Sequence, residues 1–555
     1  MLERLKARLE RAGMFARVLR QTGAIQLVPP VRFARFVRAA RQTKLGPHVV
    51  VMYHAAARPD REALVEYGAR GVRRMSWGEL DATINRVAHA LAARAVGGGD
   101  RVALMLPNGA EYLIAQQALA RLGATAVQIG YRLKAAEIAY ILENSRPRAT
   151  IVHGDYLPAM RDARRQADQH GPIIAVDVAA AGEAGDADDW DRALAAGSPD
   201  RPPRVTRGDG GGVIVYTSGT TGKPKGANRS WKKTGFESVA DMIAQVGMTA
   251  GDRHLVTCPL YHSAAPAFVA ILMSLGATIV LQNHFDAEQW LEIVERERVT
   301  CTLMVPTMMI RVCALPAATL AKYRTSTLRW VMSGAAPLTT DAARRFMEQF
   351  GPIVWNFYGS TETGLVTLAG PHDHVARPGT IGTKLRGNEV RLLDDQGRDV
   401  PVGQVGELFA RNTTMISGYH GNDQATRDAQ RDGYFSVGDV ARVDADGYYY
   451  LESRKHDMVI SGGVNIYPRE IEDHLSTHPA ILEAAVVGVP DPEWGETLRA
   501  FVVLRAGQTA SERDVIDYCR RDLADFKRPR TVTFLPELPR NPTGKILKRE
   551  LRELA

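Results

Sequence analysis

The sequence predicts an α/β protein with a large N-terminal body and a smaller α+β domain at its C-terminal end. Its 555 residues are too many for one ordinary domain. Apolar runs rich in β-branched residues alternate with helical patterns over about residues 50–200 and again over 230–370, which indicates two parallel α/β units. Between 380 and 450, short apolar runs are separated by tight-turn residues, which predicts a small β-rich subdomain.

The composition is that of a soluble globular protein, with 45% hydrophobic and 24% charged residues. The four cysteines have no paired spacing, which argues against a disulfide framework or a zinc site and indicates a reducing cytosol; they are Cys258, Cys301, Cys313 and Cys519. No run of eighteen apolar residues is present, so no membrane-spanning helix is predicted. These observations predict a cytoplasmic protein.

The basic character of the chain is confined to residues 1–45. This extension holds nine arginines, two lysines and two glutamates, a net charge of +9, whereas the whole chain carries +8. The remainder is near neutral, which argues against a nucleic-acid-binding enzyme. Residues 1–20 and 33–41 both have the pattern of basic amphipathic helices. Two interpretations stay open: peripheral contact with the inner face of an anionic membrane, or packing on the body of the protein.

The first α/β unit is predicted from three apolar strands at 102–106, 124–129 and 149–152, with an apolar helix at 112–122. The stretch 178–200 is rich in Gly, Ala and Asp and predicts a surface loop. Residues 303–310 predict either ordinary core at the start of a helix or the lining of an apolar tunnel, because methionine adapts to irregular apolar shapes.

A glycine-rich segment follows a short β-branched run at 213–215 and reads Thr-Ser-Gly-Thr-Thr-Gly-Lys-Pro-Lys-Gly from Thr217 to Gly226. Backbone N–H groups and hydroxyls of such a loop can surround a polyanion while lysines neutralise its charge. The alternative is a flexible linker, but Pro224 stiffens the turn and a strand leads directly into it. The segment does not match the Walker A pattern, so the usual P-loop fold is not implied.

Further motifs downstream carry groups suited to a nucleotide. Small residues at 334–336 would let the backbone approach a flat ring. In the segment Tyr358-Gly-Ser-Thr-Glu-Thr-Gly364, a tyrosine can stack on a purine, a threonine can bond a phosphate oxygen and a carboxylate can hold Mg²⁺. Asp439 can accept from two adjacent hydroxyls. Lys545 lies between proline and a predicted helix, where it can reach into a cleft, although such lysines are usually solvated charges.

Five motifs, in this order and spacing over about residues 50–555, resemble those of the adenylate-forming superfamily, and within it the acyl-coenzyme A synthetase (fatty-acid–CoA ligase) family. The resemblance implies ATP-dependent activation of a carboxylic acid through an acyl-adenylate to the CoA thioester, with ATP, Mg²⁺ and coenzyme A. It also implies three parts: the extension 1–45, an AMP-binding domain at 46–455 and a small mobile C-terminal domain at 456–555.

The resemblance assigns roles to individual residues. Those expected to act in catalysis are Thr217, Thr361, Glu362 and Lys545. Those expected to bind ATP are Thr217, Ser218, Gly219, Thr220, Thr221, Gly222, Lys223, Lys225, Gly334, Ala335, Ala336, Asn356, Tyr358, Thr361, Asp439, Arg454 and Lys545. Glu362 is the expected metal ligand, His262 lies at the substrate pocket, His456 at the hinge, and Gly462 and Gly463 at the CoA channel.

Two positions depart from the family pattern: Val437 replaces the usual threonine, and His456 replaces the usual Asp or Lys of the hinge. The window 263–266 lacks the aspartate with which peptide synthetases hold an amino group, which favours acids other than amino acids.

The preferred substrate is a medium-to-very-long-chain fatty acid, and aryl or sterol-type acids stay open. Free coenzyme A is the preferred acceptor because the chain stops ten residues after Lys545, with a ligase that loads a carrier protein as the alternative. A luciferase-like oxygenase would share the first step. From a different class, a catalytically silent lipid-binding relative would have lost Lys545 or Glu362, and both are present. Both a monomer and a homodimer are compatible with the sequence.

Overall fold

The structure is a computed structural model. It describes residues 13, 18, 20–24, 28–43, 46–178, 185–202, 211–217, 224–230, 236–462, 464–541 and 544–555. The contacts divide the chain into two compact units. The first comprises Met1–Leu303, Pro316–Trp330 and Thr413–Asp428, and the second comprises Met304–Leu315, Val331–Asn412 and Ala429–Ala555. The three-part division predicted from the sequence, with a boundary at 455/456, stays a prediction.

The helices of the described residues, labelled in chain order, are α1 Pro30–Arg41, α2 His48–Ala57, α3 Trp77–Ala93, α4 Ala110–Leu122, α5 Ala135–Ser145, α6 Leu157–Gln166, α7 Trp190–Ala196, α8 Phe236–Val246, α9 Ala264–Leu275, α10 Ala287–Arg296, α11 Pro306–Cys313, α12 Ala317–Leu320, α13 Thr340–Phe350, α14 Pro371–Ala376, α15 Asp423–Asp428, α16 Pro468–Ser476, α17 Glu512–Asp522 and α18 Lys548–Glu553.

The strands, labelled in the same way, are β1 Glu62–Gly68, β2 Gly71–Ser76, β3 Arg101–Met105, β4 Thr125–Gln128, β5 Ala149–His153, β6 Ile173–Val176, β7 Asp188–Asp189, β8 Gly212–Thr217, β9 Lys225–Ser230, β10 Arg253–Val256, β11 Thr278–Gln282, β12 Cys301–Met304, β13 Trp330–Ser333, β14 Val354–Ser360, β15 Gly364–Ala369, β16 Thr380–Lys384, β17 Glu389–Leu393, β18 Gly406–Arg411, β19 Gln430–Arg431, β20 Tyr434–Val443, β21 Tyr449–Arg454, β22 Val459–Ser461, β23 Val464–Ile466, β24 Ile481–Asp491, β25 Gly495–Leu504 and β26 Thr531–Phe534.

The first unit holds two sheets of largely parallel strands. One has the order β7-β6-β5-β3-β4-β8-β9 and is parallel except where β9 runs antiparallel to β8. In the other, β12, β10, β11 and β1 are parallel neighbours and β2 pairs antiparallel with β1. The strands predicted in the first 200 residues are confirmed as β3, β4 and β5. Their side chains are almost wholly buried, because helices cover both faces of such a sheet.

Helix α1 belongs to the basic extension, and none of its residues is fully buried. It begins at Pro30, where the missing N–H costs no intrahelical bond. The Phe36 ring lies 5.7 Å from the Tyr53 ring of α2, so part of its apolar face packs on the body as one interpretation expected. Val31 is 65% exposed and Phe33 is 48% exposed. Residues 1–12, which carry most of the other predicted amphipathic helix, lie outside the described residues.

The predicted loop at 178–200 contains regular structure, so that expectation was wrong in part. Strand β7 leads into helix α7, and the Asp189 carboxylate accepts from the Arg192 N–H at 2.8 Å, capping the helix. Trp190 is buried at its start, which fixes the helix to the sheet. The Gly and Asp content concealed a short capped helix.

The second unit contains the predicted β-rich subdomain. Strands β13 and β14 are parallel, and the sheet then continues antiparallel through β15, β16, β21, β20, β18 and β17. A separate sheet has the order β23-β22-β25-β24, with β26 parallel to β25. Buried residues of α16 and α17 share an apolar core with that sheet, which confirms the predicted small α+β fold at the C-terminal end.

Among the residues that the structure describes, no helix combines the length and the apolar character that crossing a bilayer requires.

Candidate active site

The loop after β13, residues 334–336, contributes backbone with small side chains or none to the site. A Cβ added to Gly334 would lie 2.3 Å from the Phe357 ring, so only glycine fits there. Ala335 has φ +66°, a left-handed conformation that costs energy in a residue with a side chain. The parallel register of β13 and β14 places Ser333 opposite Asn356, so the buried Asn356 side chain stands beside this loop.

Tyr358, Asp439 and Arg454 form a hydrogen-bonded group. The Tyr358 hydroxyl donates to Asp439 Oδ2 at 2.8 Å, and Arg454 Nε lies 3.2 Å from Asp439 Oδ1. The antiparallel register of β20 and β21 pairs Asp439 directly with Arg454. Burial, and then the neighbouring Asp439 charge, raise the pKa of Tyr358 well above its usual value, so this hydroxyl stays protonated and remains a donor.

Thr361 and Glu362 lie in a tight turn between β14 and β15. Gly359 permits this turn, because a Cβ there would lie 1.9 Å from the Gly364 carbonyl oxygen. The Ser360 hydroxyl accepts from the backbone N–H of Glu362 at 3.1 Å and of the next residue at 3.0 Å. The Glu362 side chain is buried, so its carboxylate is held in a defined place.

The backbone of Lys545 is held by two hydrogen bonds to Asn541. Its N–H donates to Asn541 Oδ1 at 2.9 Å, and its carbonyl accepts from the Asn541 N–H at 2.9 Å. Gly544 has φ +79° and packs against Val305, which a Cβ on that glycine would meet at 3.3 Å. Burial and the Arg454 charge lower the pKa of Lys545 to about 8, while the Asp439 and Asp457 carboxylates act in the opposite direction.

One cavity of about 270 Å³ brings some of the predicted residues of this unit together, whereas Gly334, Thr361, Glu362, His456 and Gly462 are not among its lining residues. Seven of its lining residues were assigned to ATP from the sequence: Ala335, Ala336, Asn356, Tyr358, Asp439, Arg454 and Lys545. All seven belong to the second unit. The cavity therefore contains a residue expected to contact each of the purine, the ribose diol and the phosphate.

The cavity wall also contains charged residues that the sequence analysis missed. They are Asp341, Arg345, Asp457, Arg469, Glu472, Glu483, Arg505, Arg540 and Lys548. No local pattern marks them, because most of their partners are distant in the sequence. A further wall residue is Cys313, and burial raises the pKa of its thiol to about 12.

The predicted hinge residue, His456, lies in a single helical turn, Lys455–Asp457. Its Nε2 is 3.7 Å from Asp457 Oδ2, while the other Asp457 oxygen pairs with Arg552 at 2.8 Å. Burial lowers the pKa of His456, and its role as a hinge stays a prediction.

The predicted CoA-channel loop begins at Gly462, which has φ +56° and donates its N–H to the Trp494 carbonyl at 2.8 Å. A Cβ at this position would lie 2.7 Å from the Trp494 ring, so the close approach also requires glycine. Gly463 lies outside the described residues.

The ends of the predicted phosphate loop are held in the first unit. Thr217 and Lys225 are paired across the antiparallel strands β8 and β9, and the Thr217 hydroxyl donates to the Lys225 carbonyl at 3.4 Å. Lys225 Nζ lies 5.2 Å from the centre of the Tyr419 ring, a cation–π contact. The other predicted residues of this loop lie outside the described residues: Ser218, Gly219, Thr220, Thr221, Gly222 and Lys223.

His262, the residue expected at the substrate pocket, also lies in the first unit, within an aromatic group. Its ring is 4.2 Å from that of Tyr261, which in turn lies 5.3 Å from Tyr131. Burial lowers the pKa of His262 to about 3, so the imidazole is neutral. Within the described residues its buried Nε2 has no hydrogen-bond partner, and neither has the Tyr261 hydroxyl.

The buried Glu362 carboxylate fits the expected role in holding Mg²⁺. Mg²⁺ is commonly bound by one or two carboxylates together with substrate phosphates and water, so a site with a single protein carboxylate is compatible with this metal.

Comparison with known families and proteins gives consistent results. A model described as AMP-binding enzyme matches residues 51–420, and one described as AMP-binding enzyme C-terminal domain matches residues 470–545. Feruloyl-CoA synthase of an Amycolatopsis species is 34% identical over 523 residues, which is 92% of this chain and 97% of that protein. The long-chain-fatty-acid–CoA ligase FadD13 of Mycobacterium tuberculosis is 32% identical, over 86% of this chain and 93% of that protein.

Solved structures are similar over nearly the whole chain. The anthranilate CoA ligase AuaEII, in complex with anthranoyl-AMP, has a TM-score of 0.83 at 28% identity and covers 92% of this chain and 97% of its own. ATP-bound MatB from Rhodopseudomonas palustris has a TM-score of 0.80 at 28% identity and covers 92% and 99%.

Proposed function

Because the chain belongs to the AMP-binding enzyme family and is an acid–thiol ligase, we propose that it activates a hydrophobic carboxylic acid with ATP and transfers the acyl group to coenzyme A. The observation that supports the site assignment is the convergence of Tyr358, Asp439, Arg454 and Lys545 on one cavity. ATP and CoA are the co-substrates of such enzymes, and Mg²⁺ is generally required.

In the first step, a carboxylate oxygen of the acid attacks the α-phosphorus of ATP and pyrophosphate leaves, giving the acyl-adenylate. Tyr358 would stack on the adenine above the Gly334–Ala336 loop. Asp439 and Arg454 would hold the ribose, and Lys545 would stabilise the charge that develops on the phosphate oxygens. Thr361 and the Thr217–Lys225 loop would bind the phosphates, with Glu362 holding Mg²⁺.

In the second step, the sulfur of CoA attacks the acyl carbon of the adenylate and AMP leaves. We propose that the segment after His456 moves between the two steps, which would withdraw Lys545 and present the loop at Gly462 and Gly463 to the thiol. The tight contact of Gly462 with Trp494 supports a role for this loop in close backbone approach.

The substrate class rests on two competing observations. A medium-to-very-long-chain fatty acid is supported by the similarity to the mycobacterial long-chain-fatty-acid–CoA ligase. An aryl acid is supported by the similarity to feruloyl-CoA synthase and by the aromatic group around His262, whose unpartnered Nε2 could bond a polar ring substituent.

The test is pyrophosphate release from ATP with a panel of acids, with and without CoA: acetate, C8–C24 fatty acids, coumarate, ferulate and cholate. Release that depends on the acid, and thioester only when CoA is added, is expected. The acid with the highest kcat/KM assigns the class. Adenylate without thioester would move the acyl acceptor to a carrier protein, and no release with any acid would refute the proposed substrate class.

We further propose that helix α1 contacts an anionic membrane surface through its arginines and the exposed Val31 and Phe33. Co-sedimentation with phosphatidylserine vesicles, but not with phosphatidylcholine vesicles, is expected. Replacement of Arg32, Arg35 and Arg38 with glutamine should abolish it. Equal binding of the variant would refute this surface.

A further inference from the structure

Two arginines of the C-terminal segment, residues 456–555, make polar contacts with the residues that follow the proposed adenine loop at 334–336. Arg469, on α16, donates from Nη2 to the Leu338 carbonyl at 2.6 Å. Arg505, directly after β25, lies with Nη2 3.2 Å from Asp341 Oδ2. Leu338 and Asp341 follow Ala336 within five residues, so both arginines contact the stretch of chain directly after the proposed nucleotide loop.

Both arginines are fixed on their own side as well. Arg469 Nε pairs with Asp473 at 2.9 Å, and the Arg469 side chain is only 14% exposed. Arg505 Nε donates to the Pro479 carbonyl at 3.1 Å. Each guanidinium bonds both to its own C-terminal segment and to the stretch after the nucleotide loop. Each therefore fixes the position of one segment relative to the other.

The same segment holds the Lys545 loop. Lys548 pairs with Glu472 of α16 at 2.6 Å. Arg540 donates to the Gly544 carbonyl at 2.6 Å and pairs with Glu483 of β24. The Lys545 loop is therefore connected through one ion pair, Lys548–Glu472, to α16, the helix that also carries Arg469.

We propose that Arg469 and Arg505 are positioning residues that hold Lys545 in place for adenylate formation and are not needed for thioester formation. The inference rests on the proposed two-step reaction. If Lys545 serves only the first step, displacing its loop should slow that step alone.

Asp341 provides a matched control. Its carboxylate also accepts from Arg344 Nη2 at 2.6 Å, but Arg344 lies on the same helix, α13, and does not reach the C-terminal segment. Arg344→Ala removes a guanidinium from the same carboxylate and leaves the contacts of Arg469 and Arg505 in place.

The experiment measures the two half-reactions separately. The first is pyrophosphate release from ATP and the acid without CoA, and the second is thioester formation from synthetic acyl-adenylate and CoA. Arg469→Ala and Arg505→Ala should each slow the first about 10–100-fold and change the second by less than about two-fold. Arg344→Ala should leave both within about two-fold of the wild type.

Equal slowing of both half-reactions in folded Arg505→Ala would overturn the inference, and so would an unchanged first half-reaction. Because Arg469→Ala removes the ion-pair partner of the half-buried Asp473 carboxylate, Arg469→Ala combined with Asp473→Asn is the second variant, with thermal melting as the check of folding. If the wild type performs neither half-reaction, the proposed function fails. If it performs both without the split in the variants, only this inference fails.

Discussion

The lowered pKa of Lys545 predicts an alkaline limit to adenylate formation. The side chain is removed from water and faces Arg454, so its charged form is disfavoured and its pKa falls from 10.5 to about 8. Below that pH the ammonium is charged and can stabilise the phosphates. As the pH rises through 8, the proton leaves and this stabilisation is lost.

The size of the effect follows from the titration. About 90% of Lys545 is charged one pH unit below its pKa and about 10% one unit above it. Each pH unit corresponds to about 1.4 kcal/mol, so holding the charged form in this environment costs the folded protein about 3 kcal/mol. The rate constant kcat/KM for the first half-reaction should fall about ten-fold per pH unit above 8.

The assay is pyrophosphate release without CoA between pH 6.5 and 10, because omission of CoA removes the titration of its thiol from the profile. Lys545→Arg, which stays charged throughout, is the matched variant; it should react more slowly but show no alkaline decline. A wild-type profile that is flat to pH 9.5, or a decline that persists in Lys545→Arg, would refute the assignment.

Stability gives an independent readout of the same pKa. Between pH 8 and 10.5 the unfolded chain binds a proton at Lys545 that the folded chain does not, so this group makes stability rise with pH in that window. Lys545→Met should therefore raise the urea midpoint at pH 7 and lose most of that gain by pH 10.5. An equal gain at both pH values would contradict the lowered pKa.

Three further predictions concern single positions. Gly334→Ala should raise KM for ATP and cost about 1–3 kcal/mol of stability because its Cβ overlaps an aromatic ring, whereas Gly97→Ala, with open space around it, should do neither. Asp439→Asn should weaken ATP binding about ten-fold or more, measured calorimetrically, with the exposed Asp399→Asn as control; equal effects would be contrary to this reasoning. Ser76→Ala removes the hydroxyl that accepts from the Glu79 N–H in the capping box of α3, while the bond from the residue 76 N–H to the Glu79 carboxylate can still form; it should cost about 1 kcal/mol in chemical denaturation, and no change would exclude that role.

Local sequence patterns accounted for much of the fold and for the nucleotide side of the cavity. Strands such as β3 and β5 are continuous apolar runs, and a buried parallel sheet allows few other assignments. Tyr358 and Asp439 were identified because each belongs to a short motif that resembles one of the adenylate-forming superfamily and has a side chain that suits the implied ligand group. The structure then places these distant motifs in one cavity.

The remaining wall residues could not be found in this way. Asp341 lies in the first turn of a helix capped by Thr339, which by itself predicts only a favourable helix start. Its partner Arg505 is 164 residues further along the chain, and no local pattern in a single sequence encodes such a pairing. Helix α7 was missed for a different reason: its length of seven residues is too short to show a period.

The half-buried Cys313 in the cavity wall bears on chemical fidelity. An acyl-adenylate is an electrophile, and a protein thiolate beside it would compete with coenzyme A and capture the acyl group on the enzyme. With its pKa raised to about 12, only about one Cys313 in 10⁵ is a thiolate at pH 7, compared with about one in 30 to 100 for an ordinary cysteine. The wall of the cavity thus contains a nucleophile that its own burial keeps inert, so the thiol that reacts is the one that the enzyme binds.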